Sequence, residues 1–87
     1  MEEAIKAKLV KYATDGMVVL FIGQLAPPRT AEGQQRYQDV EGKVIKAMFR
    51  LAMEGMDLGV IMAEAEREAD AMVAATLAEI AIEKAKG

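Results

Sequence analysis

The chain has 87 residues with 14 acidic and 11 basic side chains, and it contains neither cysteine nor histidine. This length suits a single domain with a modest core, and the missing residue types exclude disulfides, thiolate metal sites and the usual neutral-pH general base. The slight negative charge argues against a nucleic-acid partner, and the longest apolar run is far shorter than the ~20 residues of a membrane span. We therefore expect a soluble, cytoplasmic protein with no metal or cofactor.

The first third of the chain supports two predictions. A helix over residues 2–25 would place one apolar stripe along its side, made of Ile5, Leu9, Tyr12, Ala13, Gly16, Met17, Leu20 and Gly23. A β-hairpin over residues 9–22 would instead turn at Asp15-Gly16 and continue into the strand-like run Met17–Ile22. We favour the helix, because the run does not alternate and an isolated two-stranded hairpin is only marginally stable. The hairpin, followed by two long helices, is the α+β alternative.

Two further helices are predicted from clearer signals. Thr30 is a suitable N-cap for a helix over residues 31–54, in which apolar residues recur every three or four positions. Gly55 can end that helix in a left-handed turn, and Asp57 can cap a third, alanine-rich helix over residues 58–86. Three helices of similar length with short connections predict an all-α, up-down-up three-helix bundle that occupies residues 1–87 as one domain.

One group of polar and small residues is a candidate ligand pocket. Glu41 falls near the middle of the apolar stripe of the second helix, where a carboxylate must be satisfied or functional. If neighbouring helices run antiparallel, residues of the other two helices share its level. The candidates are Tyr12, Gly16, Tyr37, Glu41, Met72 and Thr76. They would bind a small apolar ligand, or raise the pKa of Glu41 enough for proton abstraction. In the alternative that we favour, Glu41 leans out past the stripe or accepts a hydrogen bond from a tyrosine.

The run Met17–Ile22 also predicts an interaction surface. A helix packed against two neighbours should not hide six consecutive apolar residues, so some of them should face away. The candidates for self-association are Val18, Phe21, Ile22 and Leu25. We therefore expect a non-catalytic scaffold or interaction module that forms a homo-oligomer, with a dimer favoured. The competing hypothesis is a bundle that binds a small apolar ligand.

The two ends of the chain carry a resemblance. The segments MEEAIKAK and AEIAIEKAKG, the helix-rich third segment and the missing cysteine, histidine and tryptophan resemble de novo designed helical bundles. The resemblance covers the termini and the last helix, and it is one of style. It implies a recombinant helical bundle that need not have a natural biochemical role. The internal glycines would then open the core for a purpose such as ligand binding or catalysis.

Overall fold

Three α-helices joined by short loops form the structure, a computed structural model that describes residues 2–86. α1 spans Glu3–Leu25, α2 spans Ala31–Met53 and α3 spans Leu58–Lys86, and residues 2–86 contain no strand. The predicted three-helix bundle is confirmed, and the alternative hairpin over residues 9–22 is wrong. As a helix, this segment packs its apolar side chains against both α2 and α3.

The boundaries of α2 and α3 follow local signals. The Thr30 hydroxyl accepts a hydrogen bond from the Gly33 amide at 2.9 Å, which satisfies one of the free donors at the start of α2. Gly55 has a φ of 84°, the left-handed conformation that commonly ends a helix. The Asp57 carboxylate accepts a hydrogen bond from the Gly59 amide at 2.9 Å at the start of α3. These contacts explain why the helices end where the sequence predicts.

α1 is the central helix, and α2 packs against it at close range. A Cβ atom on Gly16 would lie 2.2 Å from Val44 Cγ2, and one on Gly23 would lie 2.2 Å from Tyr37 Cε2. Both positions therefore have no room for a side chain. The Tyr37 hydroxyl donates a hydrogen bond to the backbone oxygen of Leu20 at 3.1 Å, which ties the two helices together.

α3 packs against a nearly opposite side of α1. Val18 lies two residues after Gly16, about 200° around the helix, and it is buried in a cluster with Ala65 and Ala69. α2 and α3 make little contact with each other. All three helices share one core near the loop that joins α2 and α3, with the buried residues Ala13, Ala47, Leu51 and Ile61.

The end of α3 is the most exposed part of the molecule. α3 has 29 residues, whereas α1 and α2 have 23 each, so it is about 9 Å longer at ~1.5 Å per residue. Residues 74–86 are all exposed. The radius of gyration is 15.6 Å, compared with about 12 Å for a compact domain of this length. The molecule is therefore elongated, and much of α3 lacks a neighbour.

Candidate functional site

The residues predicted to face outward from α1 lie mostly at its junction with α3. Val18 is only 6% exposed because α3 covers it, and Phe21 and Ile22 are half-buried in the same cluster. The prediction of an outward-facing side chain was wrong for Val18, because the central helix has neighbours on two opposite sides, whereas Phe21 and Ile22 stay partly exposed at the edge of this junction. Within the apolar run Met17–Ile22, only Val19 is exposed. Leu25, by contrast, is 66% exposed.

The residues predicted to share a ligand pocket do not come together. Gly16 and Tyr37 are both in the contact between α1 and α2, where the Tyr37 hydroxyl is already hydrogen-bonded within the bundle. Tyr12 and Glu41 are exposed at the surface. Glu41 is therefore not an enclosed acid facing the core. Glu41 adopts the outward position of the favoured alternative.

Met72 and Thr76 lie further along the bundle than predicted. The α3 residues that pack beside Val18 are Ala65 and Ala69, so Met72 and Thr76 are level with the end of α1 rather than with its middle. Thr76 donates its hydroxyl hydrogen to the backbone oxygen of Met72 at 3.0 Å. The site these two residues line is thus different from the predicted one and mainly apolar.

This site is a cleft between the end of α1 and α3, with a volume of about 420 Å³. It forms because α3 continues past the point where α1 ends, so the last turn of α1 covers only part of the facing surface. Leu77 on its rim is 61% exposed. We call it the apolar cleft, and its lining residues are Ile22, Leu25, Ala26, Met72, Val73, Thr76 and Leu77.

A second cleft of about 240 Å³ lies earlier along the same two helices. Glu66 and Asp70 give it two carboxylates, and both side chains lack an ion-pair partner among residues 2–86. We call it the acidic cleft, and its lining residues are Phe21, Gln24, Leu25, Glu66, Ala69 and Asp70. Leu25 is common to both clefts, so they follow one another along the junction of α1 and α3.

Sequence reasoning missed Leu77 and both clefts, although one signal could have located them. The third predicted helix is several residues longer than the other two, so its end must project in an up-down-up bundle. Leu77 and Ile80 then had to be exposed or covered by another molecule. In the structure both side chains are exposed.

Other apolar side chains are exposed outside the clefts. On α2 they form a stripe at spacings of four residues, Ile45, Phe49 and Met53. Across residues 2–86, no group of three acidic side chains is placed to hold a metal ion. None of the three helices combines the length and apolarity needed to cross a bilayer within the described part of the chain.

Comparison of the chain with protein-family models, with curated proteins and with solved structures gives no match. The resemblance to designed helical bundles therefore stays a prediction. The residues of the two clefts and of the exposed end of α3 are the basis for a functional proposal.

Proposed function

We propose that this chain is a non-catalytic helical scaffold that self-associates, most simply as a dimer, through the apolar cleft and the exposed end of α3. The observation that carries the proposal is the set of large apolar side chains left exposed on this surface. They are Leu25, Met72, Leu77 and Ile80. Contiguous apolar surface of this kind usually marks an interaction site.

The total surface area also supports self-association. The chain exposes 6503 Å², whereas a folded monomer of its mass, 9.4 kDa, exposes about 5,000 Å². The excess of about 1,500 Å² exceeds the ~800 Å² that each partner contributes to a standard interface. The excess is therefore large enough for a second copy to cover.

The experiment is sedimentation equilibrium or light scattering across micromolar concentrations, with two matched variants. Leu77→Glu places a charge in the proposed interface, and Ile45→Glu places one on α2 at nearly the same exposure, 61% against 60%. We expect a wild-type dimer, a monomeric Leu77→Glu variant and an unaffected Ile45→Glu variant. A wild-type monomer at every concentration would refute self-association, and dissociation by Ile45→Glu alone would move the interface to α2.

A second candidate function is the binding of a small apolar ligand in the apolar cleft. Its volume of about 420 Å³ lies within the ~300–1,000 Å³ typical of ligand pockets, and nearly all its lining is apolar. An apolar ligand should raise the melting temperature of the wild type but not of Met72→Asp, which places a charge in the lining. Unchanged melting temperatures across a panel of apolar dyes would argue against this function.

A further inference from the structure

A stripe of six residues runs along α3 past both clefts. The stripe residues are Glu66, Asp70, Val73, Leu77, Ile80 and Lys84. Successive members are separated by alternating intervals of four and three residues, the spacing that keeps side chains on one face of a helix in a two-helix contact. The order of intervals is the same from either end, so the stripe is symmetric about position 75.

From this symmetry we infer that the partner on this surface is α3 of a second copy, packed antiparallel, with a two-fold axis near residue 75. This inference rests on the proposed self-association and specifies its geometry. In a two-fold interface, each residue of one copy faces the counterpart at the mirrored position of the stripe. Val73 then faces Leu77 of the partner subunit, and Glu66 faces Lys84 of the partner subunit.

The clefts match this arrangement at two levels, one apolar and one charged. Leu77 of the partner subunit arrives beside Val73, a residue that lines the apolar cleft, so an apolar side chain meets an apolar space. About two turns away, Lys84 of the partner subunit arrives beside Glu66, which lines the acidic cleft together with Asp70. The ammonium group thus meets two carboxylates that have no ion-pair partner within the described part of the chain.

Charge also argues against the parallel arrangement. Parallel packing of two α3 helices in register would place each Glu66 against Glu66 of the partner subunit, and each Asp70 against Asp70 of the partner subunit. Like charges directly opposed across an interface oppose association. The antiparallel arrangement replaces the repulsion between the Glu66 side chains with a Glu–Lys pair at each end. It also separates the two Asp70 side chains, each of which faces Ile80 of the partner subunit, and the two-fold axis makes the Glu–Lys and Val–Leu contacts twice.

The first test is charge reversal in the stripe. Lys84→Glu should raise the dimer dissociation constant about tenfold or more, because attraction becomes repulsion at both ends of the interface. Lys86→Glu is the matched control, since it changes the same charge in the same helical turn about 200° away and should have little effect. The double variant Lys84→Glu with Glu66→Lys should restore the wild-type dissociation constant. Equal effects of the two single variants, or no restoration, would overturn the inference.

The second test measures geometry directly with spin labels. The chain contains no cysteine, so Ala74→Cys or Ala85→Cys provides a single labelling site on the exposed part of α3. Antiparallel packing about position 75 separates the two Ala85→Cys labels by roughly 30 Å along the helix axis, whereas the Ala74→Cys labels lie close together. Short distances at both positions would indicate parallel packing and refute the inference while leaving self-association intact. A monomer by light scattering would refute the proposed function itself.

Discussion

The contact between α1 and α2 makes Gly16→Ala the most informative stability test. Alanine is favoured over glycine in a helix by about 1 kcal/mol, so the substitution should stabilise the chain if space were available. The added Cβ would lie 2.2 Å from Val44 Cγ2. Val44 is buried, and its branched side chain has few alternative rotamers in a helix, so it cannot move aside cheaply.

The free-energy cost of the clash in Gly16→Ala follows from comparison with Gly42→Ala. A Cβ at position 42 meets nothing within 4 Å, so this variant gains the helix propensity alone, about 1 kcal/mol. Overpacking of a close contact typically costs about 1–3 kcal/mol. The two variants share the propensity gain, so their difference of about 1–3 kcal/mol isolates the clash. For a domain of this size that corresponds to roughly 4–8 °C in melting temperature for each kcal/mol.

The assay is urea unfolding followed by circular dichroism, with all variants at one concentration because self-association adds to stability. Gly16→Ala should be less stable than Gly42→Ala, and Gly16→Ala with Val44→Ala should be less destabilised than the sum of the two single variants. Stabilisation of Gly16→Ala to the same degree as Gly42→Ala would refute close packing of α1 on α2. Additivity in the double variant would show that Val44 is not the neighbour that clashes.

Three further substitutions test local features of the fold by the same unfolding measurement. Gly55→Ala should lower the free energy of unfolding by about 1–2 kcal/mol, because alanine is strained at a φ of 84°, and an unchanged value would contradict the left-handed turn. Thr30→Ala should lower it by about 1 kcal/mol through loss of the hydrogen bond to the Gly33 amide, whereas Thr30→Ser should retain most of the stability. Tyr37→Phe should cost about 0.5–1.5 kcal/mol by removing the hydrogen bond to the Leu20 backbone oxygen, and a neutral effect would show that this bond adds nothing to the helix contact.

Local signals explain why the helices could be predicted closely. Helical spacing, the N-cap at Thr30, the glycine at position 55 and the cap at Asp57 are all properties of neighbouring residues. The predicted ranges 2–25, 31–54 and 58–86 correspond to Glu3–Leu25, Ala31–Met53 and Leu58–Lys86. The choice of helix over hairpin in the first third also followed from local periodicity and from the weakness of an isolated hairpin.

The candidate site was harder to predict, because it depends on the axial offset between neighbouring helices. The predicted pocket required Met72 and Thr76 to lie level with Gly16. In the structure Ala65 and Ala69 occupy the neighbouring part of α3, while Met72 and Thr76 line the cleft beside Leu25. The spacing of apolar residues shows on which side of a helix each side chain lies. It carries no information about which residues of a neighbouring helix lie beside that side chain.

The sequence by itself determined three helices, their ends and the short loops between them, because each depends on residues a few positions apart. Only the tertiary structure decided that α1 is central. α1 has apolar or small residues on nearly all sides, so its periodicity does not single out one buried face. Gly16 and Gly23 allow α2 to pack closely against one side of α1. On the other side of α1, Ala65 and Ala69 of α3 pack against Val18 and cover it. The run Met17–Ile22 is thereby mostly enclosed within one chain, and the unpartnered apolar surface lies at the end of α3 instead.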